Sequence, residues 1–187
     1  MTVTPSRMIP LGTKAPSFSL RDTLSGKNLT LNQLRSDRAT VIMFLCNHCP
    51  FVKHIWPEIL NVAHQYIPEG ISFIAINSND AETYSEDSPH NMKKIAEDLK
   101  FPFPYLYDDT QEVARAYGAE CTPDFFVYDR NLACVYRGRF DDSRPNNHTP
   151  ITGKDLKTAL DCILKGESVP QNQKPSTGCN IKWKREH

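Results

Sequence analysis

The sequence predicts an α/β fold: a central mixed β-sheet flanked by helices, with an N-terminal β-hairpin and an irregular C-terminal tail. Three observations carry this expectation. Val41 to Leu45 is an unbroken apolar run, of the kind that fills a strand covered on both faces. Immediately afterwards, from Pro50, the apolar residues recur at helical spacing. Strand-like and helix-like segments then alternate and close with a strand pair and a last helix, which calls for a sheet with helices on both faces. At 187 residues the chain suits one domain, with a core over about 10–165 and a tail over 166–187.

The elements follow in order. Residues 12–34 read as a hairpin, with alternation around Phe18 and Leu20, a turn at Ser25 to Lys27, and alternation again at Leu29 and Leu31. Thr40 to Leu45 is the buried strand. A helix is expected from Pro50 to Tyr66, with proline at a tolerated first position and a kink at Pro57. Ile71 to Ile76 is the next buried strand, followed by a polar loop from Asn77 to Asp87. Ser88 should cap a helix running to Leu99. Tyr105 to Tyr107 is a short strand, and Thr110 is expected to cap a helix from Gln111 to Tyr117 that stops at Gly118. Phe125 to Tyr128 and Leu132 to Tyr136 form a hairpin, and a last helix spans Lys154 to Leu164. From residue 167 onward, Pro170, Pro175 and Gly178 argue for an irregular tail.

Composition narrows the function. Lys+Arg and Asp+Glu both number 22, so no basic surplus points to nucleic acid or an acidic membrane. No run approaches the roughly 20 apolar residues of a membrane span. The first fourteen residues lack a secretory signal's apolar stretch, so a cytoplasmic location is expected. Six scattered cysteines do not make a disulfide-stapled scaffold; in a reducing compartment, close spacing means redox catalysis or metal binding.

That spacing occurs where the first buried strand meets the helix, at Cys46-Asn47-His48-Cys49-Pro50. With the helix starting at Pro50, Cys49 is its N-cap, facing unpaired N–H groups and the positive end of the helix dipole. Such surroundings hold a thiol as the nucleophilic thiolate, with typical pKa values of about 3.5–7.5. Lys53 and His48 could add positive charge. A C-x-x-C turn brings two Cα atoms to roughly 4.4–6.8 Å, so Cys46 is the expected partner that resolves an adduct on Cys49. Two inert buried cysteines are the bland alternative.

The run from Phe44 to Lys53, with Pro57 eight residues after Cys49, resembles the thioredoxin active-site segment. The pattern Gly12, Ala15, Pro16, Phe18, Leu20, Gly26, Leu29 and Leu31 resembles peroxiredoxins. Thr122-Pro123 is similar to the cis-proline loop of these proteins. The nearest resemblance is to the peroxiredoxin-like group with a CNHCPF motif, a GRFDDSRP segment (Gly138 to Pro145) and a GCNIKWK tail (Gly178 to Lys184). It implies a thioredoxin-like fold without a cofactor, and substrate held by Thr122 and Pro123 beside Cys49. It also implies thiol–disulfide oxidoreductase or antioxidant activity. Two positions depart from the pattern: Val52 stands where thioredoxin has its second cysteine, and Cys46 stands where peroxiredoxins carry a threonine.

Weaker signals stay open. Cys121 could be a second resolving thiol or an apolar filler, and Cys179 could reach the site as peroxiredoxin tails do or remain a surface thiol. Cys134 and Cys162 read as core. Arg137 or Arg139 could stabilise the thiolate. The implied partners are a protein or small-molecule disulfide, or a peroxide, and a thioredoxin- or glutathione-type reductant; a homodimer stays open. The rival readings are a thiol peroxidase, a copper-binding protein of the same fold, and a non-catalytic binding module.

Overall fold

The computed structural model describes residues 3–185. Its strands are β1 (Val3–Pro5), β2 (Ser19–Asp22), β3 (Asn28–Thr30), β4 (Ala39–Phe44), β5 (Ile71–Asn77), β6 (Tyr105–Tyr107), β7 (Cys121–Thr122), β8 (Asp124–Asp129), β9 (Cys134–Gly138) and β10 (Thr177–Asn180). The helices are α1 (Leu31–Leu34), α2 (Pro50–Tyr66), α3 (Pro89–Asp98), α4 (Glu112–Tyr117) and α5 (Lys154–Leu164). Seven strands form one mixed sheet in the order β3-β2-β6-β5-β4-β8-β9. β4 runs parallel to β5 and antiparallel to β8, so it lies inside the sheet with a paired strand on each side. Parallel neighbours need a long crossover, and α2 supplies it between β4 and β5.

Strand periodicity divides the core in two. Val41 and Met43 point to one face, where Val52, Ile55, Ile59 and Val62 of α2 pack with Leu156 and Leu160 of α5. Ile42 and Phe44 point to the other, against Leu31, Ala114, Tyr117 and Phe126. Each residue of β4 is fully buried, which is why Val41 to Phe44 are apolar without alternation. The expected thioredoxin-like arrangement, a mixed sheet with helices on both faces, is what forms. Among the described residues no helix is long and apolar enough to cross a membrane.

Local boundaries largely follow the expected chemistry. α2 covers the expected span and continues through Pro57. Ser88 caps α3 by accepting from the Asn91 backbone N–H. Three expectations are corrected. Gln111, in a left-handed conformation (φ 64°), takes the N-cap position of α4 in place of Thr110. Asp108 takes the Val113 and Ala114 N–H groups with its carboxylate, which leaves the Thr110 hydroxyl only the Glu112 N–H at 3.4 Å. A one-turn helix, α1, follows the hairpin, held by a capping box between Thr30 and Gln33.

The third correction is the largest. The tail is not irregular throughout: β10 is the middle strand of a second sheet, β1-β10-β7. Its two-sided pairing supplies the backbone bonds that the proline-interrupted flanking sequence lacks. Two glycines admit the tail. A Cβ on Gly138 would lie 2.1 Å from the Lys174 carbonyl oxygen, and one on Gly178 would lie 2.0 Å from that of Thr122.

Candidate active site

Strand β4 ends at Phe44, and the next five residues turn the chain into α2. Cys49 is the N-cap of α2 (φ −71°, ψ 124°), and its carbonyl accepts the Val52 and Lys53 N–H groups at 3.1 and 2.9 Å. Its sulfur makes no capping hydrogen bond, because it is bonded to Cys179 of β10. The two Cα atoms are 6.2 Å apart across 130 residues of sequence. Cys49 is 0% exposed and Cys179 1%. The Thr122–Pro123 peptide bond is cis, and the Thr122 carbonyl oxygen lies 3.4 Å from the Cys49 sulfur. Cys49, Thr122 and Pro123 thus meet, as the sequence led us to expect, and the cysteine joined to them is Cys179.

Cys46 sits beside this group with its thiol free. Its sulfur is 3.1 Å from the Thr122 hydroxyl and takes the backbone N–H groups of His48 and Cys49 within its own turn. Burial, reinforced by the negative charge of Asp87, raises its pKa to about 12 in spite of those bonds. A thiol so protonated is a poor nucleophile near neutrality. The expectation that Cys46 partners Cys49 therefore gives way in this structure. The C-x-x-C turn brings the backbones together but spends the Cys46 sulfur on the turn's own amides.

Asp87, which the sequence places in a polar loop, organises the other side of the turn. Fully buried, it accepts from the Asn47 N–H at 2.7 Å, from Asn77 at 3.2 Å and from Asn79 at 2.9 Å, and it pairs with His48 Nδ1. Burial favours its neutral form, but the bonds from His48, Asn79 and Asn47 outweigh burial and hold the carboxyl below its usual range. His48 in turn stacks on Tyr84, with ring centroids 5.5 Å apart. It is thus neither free in solvent nor unpartnered. Only the polar character of 77–87 hinted at this network, since nothing local marks which polar residue turns inward.

The remaining candidates lie nearby in less direct roles. Lys53 is exposed. Cys121 is buried at the wall of the site, its sulfur 3.8 Å from the Pro123 carbonyl, and burial pushes its pKa far above the ordinary thiol value. Arg139 bonds Asp155 at 2.6 Å, and Arg137 bonds Ile9 and Gln173, so both guanidinium groups are engaged away from the cysteine pair. Cys134 is core; Cys162 is only half-buried on α5. Cys46, His48 and Asp87 bring potential metal-ligand atoms within 4.8 Å of one another. Those atoms already bond Thr122 and each other, and both Asp87 oxygens are occupied.

Among known families, residues 11–137 match the model of the AhpC/TSA family. The chain belongs to the AhpC/TSA family. Within this AhpC/TSA chain the matched span includes Cys46, Cys49 and Thr122-Pro123 and stops short of Cys179. Over its whole length the chain is 59% identical to an uncharacterized conserved protein from Geobacillus kaustophilus of known structure. There the TM-score is 0.98, with 100% of this chain and 99% of that one covered. It is 26% identical over 123 residues to the thiol-disulfide oxidoreductase ResA of Geobacillus thermodenitrificans (strain NG80-2). That alignment covers 66% of this chain and 66% of ResA, just under two thirds of the relative's length. The thioredoxin domain of a thiol-disulfide oxidoreductase from Bacteroides vulgatus shares the fold at 16% identity, with a TM-score of 0.61 and coverage of 80% and 96%.

Proposed function

We propose that this protein is a thiol–disulfide oxidoreductase in which Cys49 exchanges with substrate and Cys179 closes the cycle. The observation that carries this reading is the Cys49–Cys179 bond at the amino end of α2, against the Thr122 carbonyl. In the reduced protein, the N-terminal amides and dipole of α2 favour the Cys49 thiolate. That thiolate attacks one sulfur of a substrate disulfide, forming a mixed disulfide and releasing the other substrate sulfur as a thiolate. Cys179, also as a thiolate, then attacks the Cys49 sulfur and releases the second substrate thiolate, which takes up a proton. The substrate gains two electrons and the protein is left with the bond seen here. An external thiol reductant of thioredoxin or glutathione type returns the two electrons. The relationship to ResA supports disulfide substrates, and the cytoplasmic location expected from the sequence remains part of this proposal.

The assay is disulfide reduction with a recycling thiol. Cys49→Ser should abolish it, and full activity in that variant would overturn the assignment. Membership of the AhpC/TSA family favours a second substrate for the same pair. With a hydroperoxide, the Cys49 thiolate takes the terminal oxygen, an alcohol or water leaves, and Cys179 displaces water from the sulfenic acid. Sulfenic acid trapping on Cys179→Ser at dilute peroxide tests this, and a rate no faster than free cysteine would rule it out.

A further inference from the structure

A cavity of about 300 Å³ lies between the turn that joins β2 to β3, the first residues of α3 and Tyr107 of β6. That volume is at the lower end of the roughly 300–1,000 Å³ typical of small-ligand sites. Its lining joins two chemistries. Arg21, His90 and Lys93 bring three basic side chains, and Leu24, Pro89 and Tyr107 bring apolar surface. Among the described residues no Asp or Glu lines it. The neighbouring Asp22 is buried, with its oxygens committed to the Leu24, Ser25 and Tyr105 N–H groups at 3.4, 2.9 and 3.1 Å. The cations are left without counter-charges of their own. Among the described residues Arg21 and His90 enter no ion pair and no side-chain hydrogen bond, and Lys93 reaches only Glu97, at 3.7 Å on its own helix. The Arg21 guanidinium is nonetheless placed: Nη2 lies 3.8 Å from where a Cβ on Gly26 would stand, so it folds across the turn at the cavity wall. In a chain of zero formal charge, this is a local positive excess that an anionic ligand would neutralise.

We infer that this cavity binds a small phosphomonoester with a flat apolar body. The planar fork of Arg21 matches two oxygens of one phosphate, and Lys93 adds a point charge from the first turn of α3. A phosphomonoester carries about 1.5 to 2 negative charges at pH 7, more than a carboxylate, and so answers a set of three basic groups better. The carbon part of the ligand lies against Leu24, Pro89 and Tyr107, where taking apolar surface out of water adds affinity. The cavity shares no lining residue with the cysteine pair, so its occupancy does not depend on the oxidoreductase reading.

The test titrates the full-length native protein with phenyl phosphate, inorganic phosphate and benzoate at fixed ionic strength, following backbone amide shifts by NMR. Phenyl phosphate is expected to saturate with a Kd of about 1 mM or tighter, at least about tenfold tighter than either other probe. Its largest shifts should fall in the β2–β3 turn and the first turn of α3. Arg21→Gln and Lys93→Gln should each weaken it by about tenfold or more, the worth of one charge-assisted hydrogen bond. Both side chains are exposed, so these variants keep the native fold. Lys94→Gln removes the same charge beside the cavity without touching its lining, and should change the Kd by no more than about twofold. Absence of saturable phenyl phosphate binding overturns the inference, and so do shifts centred elsewhere or equal affinity for the three probes. A loss in Lys94→Gln as large as that in Lys93→Gln overturns it too, because the anion then reads surface charge and not this cavity.

Discussion

Cys46 and Cys179 are the two cysteines that the fold brings to Cys49, and they arrive by opposite routes. Cys46 is three residues away on the same turn; Cys179 comes 130 residues later on a strand that must first be docked. The near cysteine is the one left unbonded. Its sulfur is committed to the Thr122 hydroxyl and to the turn's amides, and burial suppresses its ionisation. The distant one is aimed by the pairing of β10 with β1 and β7. Closeness in sequence sets where backbones meet, whereas side-chain direction and desolvation decide which sulfur can react.

The largest effect that would break this comparison is on turnover. Cys179→Ser should trap the mixed disulfide on Cys49 and lower steady-state disulfide reduction by about 100-fold or more, in line with a loss of roughly 3 kcal/mol of transition-state stabilisation. Cys46→Ser should keep most of the activity, because serine can still take the same turn amides; reversed outcomes would make Cys46 the resolving thiol. Stability gives the next measure. A cross-link closing so long a loop is expected to contribute about 3–5 kcal/mol, so reduction should lower the unfolding midpoint. Cys179→Ser should reproduce that loss in the absence of reductant, whereas Cys46→Ser should leave the drop on reduction intact.

Asp87→Asn tests the turn itself and should cost about 2–3 kcal/mol, since a buried acceptor of several hydrogen bonds is weakened and His48 loses its anion. The sign of its pH dependence follows from a folded pKa below the ordinary carboxyl value. The contribution of Asp87 is complete above that ordinary value, about 3.9, and is lost as the pH falls through the lower folded value. Denaturant titrations of the native protein and Asp87→Asn should therefore converge under acid conditions. The smallest effect is chemical. In the reduced protein at about pH 7, iodoacetamide should modify Cys49 and leave Cys46 unreacted until unfolding, as a pKa raised to about 12 requires; peptide mapping of the adducts reads this directly.

The features legible in the sequence were those with a short-range cause. The apolar run before Cys46 marked a doubly covered strand, Pro50 marked the first turn of α2, and Ser88 marked the start of α3. Each is set by residues within about one turn of it. Cys49 and Thr122-Pro123 were legible as site residues by resemblance to a family pattern. Asp87 was not: it becomes a buried anchor only once Asn47, Asn77, Asn79 and His48 converge on it from separate segments. β10 was hidden by the turn-forming residues around it, because a four-residue strand carries little pattern of its own and here owes its form to neighbours on both sides.

By itself the sequence determined the class of fold and the position of Cys49 at the head of a helix, on which the proposal of thiol chemistry at that sulfur is built. Those follow from hydrophobic period, proline placement and helix-end electrostatics, all of which act over a few residues. Only the tertiary structure decided which cysteine meets Cys49 and what shields the pair. Both depend on the tail finding β1 and β7, and on two glycines small enough to let its backbone pass. Such contacts are made between residues far apart in the chain, where spacing carries no information.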